Sequence, residues 1–467
     1  MFKNVTLTFA SLRSRAMLMS LAAGTLMTSF YGCRPDPIIS PTGISIPANI
    51  LGSENPYAWN ELFLEIDRYS PGYRPPAAAR MLGYTGLAVY EAVAPGMTRY
   101  KSIAPSFVGL QVPTADATKQ YYWPEAANAA YGYMFRKFYP HIQATDLAKI
   151  DALETKFEDN FRYSGVSAET MNRSKAFGIA VATAVFSYSA TDIEGHEGYL
   201  RTNPTSYVPP VGPGLWKPTG PDFTRALFPT WGNTRTFAAR PADLIGRPPL
   251  AYSTSPESPF YAQAKEVYDI SRPLSYENQW IAEFWGDDIF RLTFEPAGRW
   301  IAIANQIIKL KKSNLETSVL VYAKMGMAMT DGGIAAWNTK FYYNVQRPSD
   351  YINDNIDANW VSRLRGLHNC INPPFPAYPS GHATFGACAA GILNDVYGKN
   401  VRFTDNCHLG RTEFNGTPRT FNNFDAAASE NAISRIPLGV HFRMDSDEGL
   451  RMGYTCADRV NALPWKK

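Results

Sequence analysis

Residues 75–94 read PPAAARMLGYTGLAVYEAVA, opening on Pro75-Pro76 and carrying Ala77, Met81, Leu82, Leu87 and Tyr90 at spacings of threes and fours. Paired prolines suit the first turn of a helix, where no amide need be donated, and the spacing after them lays an apolar stripe along one face. The same period runs back through Trp59, Leu62, Phe63 and Ile66 and forward over about 121–138, 144–160 and 168–189. It returns at about 275–287, 293–311, 314–341, 381–397 and 443–461, while strand alternation is scarce. The predicted class is all-α, a multi-helix bundle. Between the two helical stretches, 203–259 is crowded with Pro, Gly, Trp and Phe (PPVGPGLWKPTGPDF, FPTWGN). A loop of that length is usually functional, and it reads as a lid.

The rest of the chain frames this core. With 467 residues, 45% hydrophobic and 18% charged, it has the mix of a large globular protein, which excludes long disorder, collagen repeats and coiled coil. The formal charge is +4, but Lys3, Arg13 and Arg15 fall in residues 1–32 with no acid among them, so the body is near neutral. That balance argues against a nucleic-acid partner. Residues 16–32 (AMLMSLAAGTLMTSFYG) are too short for a comfortable membrane span and read as a signal-peptide core. Gly32-Cys33 at its end resembles a bacterial lipoprotein cleavage site. The expectation is therefore export, with 1–33 a signal peptide ending at a lipidated Cys33 and 34–55 a linker. The protein would be periplasmic or attached to the outer membrane, touching membrane only through that anchor. Residues 56–256 form an N-terminal helical region including the loop, and 257–467 a C-terminal catalytic region. Cys370, Cys388, Cys407 and Cys456 permit up to two disulfides in an exported body, and without a CxxC pair they do not suggest zinc.

Three segments in the last third carry the chemistry: Lys340-Phe-Tyr-Tyr-Asn-Val-Gln-Arg347-Pro348, then Pro379-Ser380-Gly381-His382, then Ser434-Arg435 followed by His441 and Asp445. Lys340 and Arg347 are seven apart, two helical turns, so both fall on nearly one face, and Pro348 pushes Arg347 off the helix end, where its guanidinium can swing into a pocket. Ser380 precedes a run of small and apolar residues, as an N-cap does, and the amides around Gly381 can then point at an anion. Gly381 lacks a side chain, so an oxyanion can approach the backbone closely. Arg435 supplies a second planar fork, and two arginines with one lysine can neutralise a trianionic tetrahedral guest. His441 and Asp445, four apart, are within helical reach, so the carboxylate can fix the imidazole tautomer and leave a lone pair on the other nitrogen. His382 is a candidate acid/base. Asp331 reads either as a support for Lys340 or as an ordinary helix residue, and His408 beside Cys407 is ambiguous. Taken singly each feature is commonplace, since Lys and Arg on helices are mostly solvated and Pro-Ser-Gly is mostly a turn. Together they assemble the parts of an oxyanion site.

KxxxxxxRP, PSGH and SRxxxxxHxxxD, matched here at all eleven specified positions, form the signature of the type 2 phosphatidic acid phosphatase and vanadium haloperoxidase superfamily. Residues 75–94 and GLWKPTGP also resemble bacterial relatives of vanadium chloroperoxidase, so the resemblance covers most of the chain from about residue 57. It implies the helical bundle and two alternative chemistries. In a haloperoxidase, His441 is the metal ligand, and Lys340, Arg347, Ser380, Gly381 and Arg435 hold the oxygens of vanadate. There His382 takes a proton from hydrogen peroxide, and Lys340 polarises the peroxide for attack by halide. In an acid phosphatase with no cofactor, His441 attacks phosphorus to give a phosphohistidine, Asp445 orients it and His382 protonates the leaving alcohol. The resemblance also implies a halide pocket bordered by Trp337, one turn before Lys340, and Phe375. Those two aromatics favour the haloperoxidase reading, although buried Trp and Phe are more often plain core. A third reading, a non-catalytic anion-binding lipoprotein, needs neither His382 nor the His441–Asp445 pair.

Overall fold

The computed structural model describes residues 43–467 apart from 288, 290 and 369. The segment expected to be signal peptide, Cys33 and most of the linker lie outside the described residues. Five helices come first: α1 (Glu54–Asp67), α2 (Pro75–Val93), α3 (Trp123–Phe138), α4 (Ala144–Tyr163) and α5 (Ala168–Ala190). After a connection holding only 3-10 turns follow α6 (Pro259–Ile270), α7 (Tyr276–Phe284), α8 (Pro296–Leu310) and α9 (Leu315–Tyr343). Then come α10 (Pro348–Asn355), α11 (Arg363–His368), α12 (Gly381–Tyr397), α13 (Phe424–Ile433) and α14 (Arg443–Asn461). The described residues hold a single antiparallel pair, β1 (Phe403–Asp405) with β2 (Arg419–Phe421), in the register Phe403 to Phe421. The all-α class predicted from periodicity is what the chain adopts. No helix among the described residues is long and apolar enough to cross a membrane.

The centre is the crossing of α2 with α9. Every residue of α2 is buried, as are nearly all of α9, the pattern of helices that are apolar all round. They approach closely because glycine lines the contact: a Cβ on Gly326 would stand 2.5 Å from the Leu82 carbonyl oxygen. The same device joins α12 to α14, where a Cβ on Gly453 would stand 2.2 Å from the carbonyl of Thr384. One apolar core runs from Ala48 to Trp465 and draws on both halves of the chain. The helix pair α12–α14 carries the PSGH segment and Asp445 into contact, since the Ser380 amide donates to the Asp445 carbonyl at 2.8 Å.

The four described cysteines are free thiols, so no disulfide staples the body. Cys388 and Cys456 are buried neighbours linked by a thiol hydrogen bond between α12 and α14. The long connection is pinned to α9. Asp331 accepts the amides of Phe237, Ala238 and Ala239 at 2.6, 2.7 and 2.7 Å, which makes it the anchor of this loop.

Candidate oxyanion site

Lys340 sits in the last turn of α9, and Arg347 lies beyond the helix end, as Pro348 predicts, rather than on the face of Lys340 that the seven-residue spacing suggests. The helix stops at Tyr343 because Asn344 takes a left-handed cap (φ 50°), a conformation its short polar side chain tolerates. The chain then runs extended, its amide and carbonyl groups paired with Gly214 and Ala377, and Arg347 becomes the residue before Pro348 at the start of α10. Its guanidinium turns inward. Nε donates to the carbonyl of Phe375 at 2.9 Å and Nη1 to that of Val440 at 2.8 Å, which fixes the fork between two loops.

Ser380 caps α12, its Oγ accepting from the Ala383 amide at 3.4 Å. Lys340, Ser380 and Asp445 are fully buried, with Arg347, Arg435 and His441 nearly so. All three ammonium protons of Lys340 are used: Nζ donates to the carbonyls of Pro376, Ala377 and Pro379 at 2.9, 3.0 and 2.5 Å. In this arrangement its action on a guest is through its field. His441 also departs from the helical expectation, for α14 starts only at Arg443. Asp445, at the third position of that helix, reaches back to accept both the Phe442 amide at 3.0 Å and His441 Nδ1 at 2.9 Å. With Nδ1–H donating there, Nε2 carries the lone pair and faces Arg347 Nη1 at 3.3 Å.

His382, Gly381, Trp337, Phe375, Arg435 and His441 line one cavity of about 590 Å³, whose rim includes Asn203, Thr224 and Leu227 of the long loop. Trp337 and Phe375 pack ring to ring at 5.0 Å, and Trp337 Nε1 donates to the Leu227 carbonyl at 3.1 Å. The Phe375 ring also lies 5.0 Å from the Lys340 ammonium and 4.8 Å from the Arg347 guanidinium. These two aromatics are thus both core and cavity wall.

The electrostatics record an excess of positive charge. Burial, then Arg347, pushes the Lys340 ammonium well below its ordinary range. Burial, then Arg347 and Lys340, holds His441 neutral, and burial followed by Arg435 does the same to His382. Asp445 is raised, chiefly by burial, against the pull of Lys340 and Arg347.

Two buried atoms of the site have no hydrogen-bond partner: Arg347 Nη2, a donor, and Nε2 of His382, a residue that lines the cavity. Such atoms normally cost about 1–3 kcal/mol each when left unpaired. A Cβ on Gly381, which lines the cavity, would meet the Trp337 ring at 3.5 Å and the Phe385 ring at 4.0 Å, both ordinary contacts. An unpaired guanidinium N–H, mutually repelling cations and an open backbone cradle suit a compact polyanion such as vanadate or phosphate. Reasoning from sequence did not reach Trp285 and Asp287. The Trp285 carbonyl accepts Arg435 Nη1 at 2.9 Å, and that of Asp287 accepts from the His382 ring. Main-chain acceptors leave no signature in residue type. Among the described residues, no cluster of three or more His, Cys, Asp or Glu gathers as a metal cage.

Fold and site together define an all-helical protein with a buried oxyanion pocket. Residues 320–463 match the family model described as the VCPO second helical-bundle domain. The vanadium chloroperoxidase of Curvularia inaequalis is 26% identical over 83% of this chain and 78% of its own length. The solved structure of a bacterial vanadium-dependent iodoperoxidase matches with a TM-score of 0.78 at 29% identity, covering 91% of this chain and 99% of that one. A holo-type bacterial vanadium-dependent chloroperoxidase has a TM-score of 0.61 at 17% identity over 92% and 96%, a likeness of fold. The family model, the relative and the solved structures together support a vanadium haloperoxidase.

Proposed function

We infer that this protein is a vanadium-dependent haloperoxidase, oxidising halide with hydrogen peroxide. The observation that carries the reading is the gathering of three buried cations, one with an unspent N–H at Arg347 Nη2, under an aromatic wall and beside a neutral His441 whose Nε2 faces Arg347. The residues to hold vanadate are His441 through Nε2 and Arg347, Arg435, Ser380 and Gly381 around its oxygens, with Lys340 adding its charge from below. Vanadate supplies a Lewis acid that activates peroxide without a change in oxidation state. His382, kept neutral, takes the peroxide proton on Nε2. Trp337 and Phe375 strip water from the incoming halide, which strengthens the cationic field it meets. These residues all fall in the C-terminal region 257–467, to which we assign the chemistry. We place the enzyme at the cell envelope, tethered by a lipid on Cys33, and mass spectrometry of the mature N-terminus tests that placement.

The test loads purified protein with orthovanadate and follows bromination of a phenol dye with bromide and peroxide. Phosphate-ester hydrolysis is measured in parallel without vanadate. Vanadate-dependent bromination is expected. Hydrolysis with no bromination would overturn the reading in favour of a phosphatase, and His441→Ala should abolish whichever activity is present.

A further inference from the structure

Arg299, on α8, has no exposed surface, yet it lies outside the cavity and takes no part in the chemistry above. Its guanidinium lies in the corner formed by the rings of Phe284 and Trp285, at 4.4 and 4.6 Å from their centroids. Nη2 donates to Asp405 at 2.9 Å, Nη1 lies 3.9 Å from Asp287 Oδ1, and Nη1 also meets His408 Nε2. Asp405 is itself held, its other oxygen accepting from Gln306 Nε2 and the Cys407 amide at 3.0 Å each. Burying one guanidinium with two carboxylates is costly, and an apolar trio of like volume would serve stability as well or better. The arrangement calls for another reason.

That reason lies on the far side of the stretch it grips. Residues 285–287 follow the end of α7, outside any regular element. Their carbonyls point to the site: Trp285 to Arg435 Nη1 at 2.9 Å, and Asp287 to the ring of His382. Because His382 spends one ring N–H on that carbonyl, its Nε2 is left as the lone-pair nitrogen toward the cavity. We propose that Arg299 is a positioning residue for the oxyanion site: through its pair with Asp405 and its grip on Trp285 and Asp287, it holds the 285–287 carbonyls that aim Arg435 and fix the tautomer of His382. This rests on the reading of the cavity as an oxyanion site.

The experiment measures inorganic phosphate affinity of the vanadate-free full chain by calorimetry, together with kcat, KM for peroxide and thermal melting of the vanadate-loaded enzyme. Three variants are compared with the wild type. Arg299→Lys keeps the charge but loses the planar fork and the stacking. Asp405→Asn keeps the shape of the partner. Arg80→Lys is the control, since Arg80 is equally buried and paired with Asp192 at 3.2 Å, away from the cavity. Arg299→Lys and Asp405→Asn should weaken phosphate binding roughly 10- to 100-fold, the worth of one charge-assisted hydrogen bond, and lower kcat more than they raise KM. Arg80→Lys should lower the melting temperature and leave phosphate affinity unchanged. If Arg299→Lys melts lower but binds phosphate and turns over like the wild type, Arg299 is structural only and the proposal is overturned. Should Arg299→Lys not fold, Asp405→Asn decides by the same criterion. A wild-type chain that binds no phosphate overturns the oxyanion reading itself, which is a separate outcome.

Discussion

Exchanging Arg347 for lysine keeps the positive charge of the pocket and removes its geometry. In the wild type, Nε and Nη1 are committed to the Phe375 and Val440 carbonyls, and Nη2 is the atom left for a guest. A lysine ammonium cannot span both carbonyls and still present a directed donor. The lost charge-assisted hydrogen bond is worth about 1.5–3 kcal/mol, or roughly a 10- to 100-fold weaker Kd for phosphate or vanadate. Linkage gives a second readout. At a phosphate concentration of about 100 times the wild-type Kd, binding stabilises the wild type by about 2.7 kcal/mol. A variant with a Kd some 30-fold higher gains only about 0.9 kcal/mol at the same concentration. Calorimetry at fixed ionic strength gives the first figure and urea unfolding with and without phosphate the second. If Arg347→Lys folds, binds phosphate within threefold of the wild type and is stabilised equally, charge alone holds the anion and the argument from the unpaired Nη2 fails.

Gly381→Ala should fold with stability within about 1 kcal/mol of the wild type, because the new methyl meets Trp337 and Phe385 at ordinary contact distance, yet it should bind phosphate at least tenfold more weakly; unchanged affinity would remove Gly381 from the cradle. Phe375→Ala should raise KM for bromide more than it slows any phosphate-ester hydrolysis, since it opens the aromatic wall beside both Lys340 and Arg347, and equal losses would return the ring to a packing role alone. Glu125, fully buried in the first turn of α3, is pushed up to about 8, chiefly by burial and then by Glu158. The folded state therefore holds this proton better than the unfolded chain. Its stabilising effect is complete below about pH 4.5 and is lost as pH rises through about 8, amounting to as much as about 5 kcal/mol. Glu125→Gln should flatten that decline in urea unfolding from pH 5 to 8.5, and parallel pH profiles for variant and wild type would refute the assignment.

Some of this was legible in the residues. The runs that became α12 and α14 end where periodicity put them, because Ser380 caps the first and both helices pack small residues on one face. The turn at Asn344 was not legible: a left-handed cap on a polar residue is set by the extended pairing that follows, not by the apolar pattern before it. Helix α13 was missed for another reason, since Phe424–Ile433 is alanine-rich and has almost no amphipathic contrast to detect. The motif pointed to the cations of the pocket, whereas their supports are main-chain oxygens from distant segments, Phe375, Val440, Trp285 and Asp287. Any residue type can offer a carbonyl, so that layer emerges only when the chain is folded.

The three oxygens around the Lys340 ammonium have a bearing on how the pocket comes to exist. Pro376, Ala377 and Pro379 wrap this one nitrogen much as a loop wraps a bound potassium ion, so the lysine acts as a built-in counter-ion for the strap leading into Ser380 and Gly381. The shape of the strap therefore depends on the end of α9, which brings Lys340 to it. Exchanging this lysine for a neutral residue unthreads the strap as well as dimming the charge, and a chain so altered should lose its grip on anions even when they are offered at saturating salt.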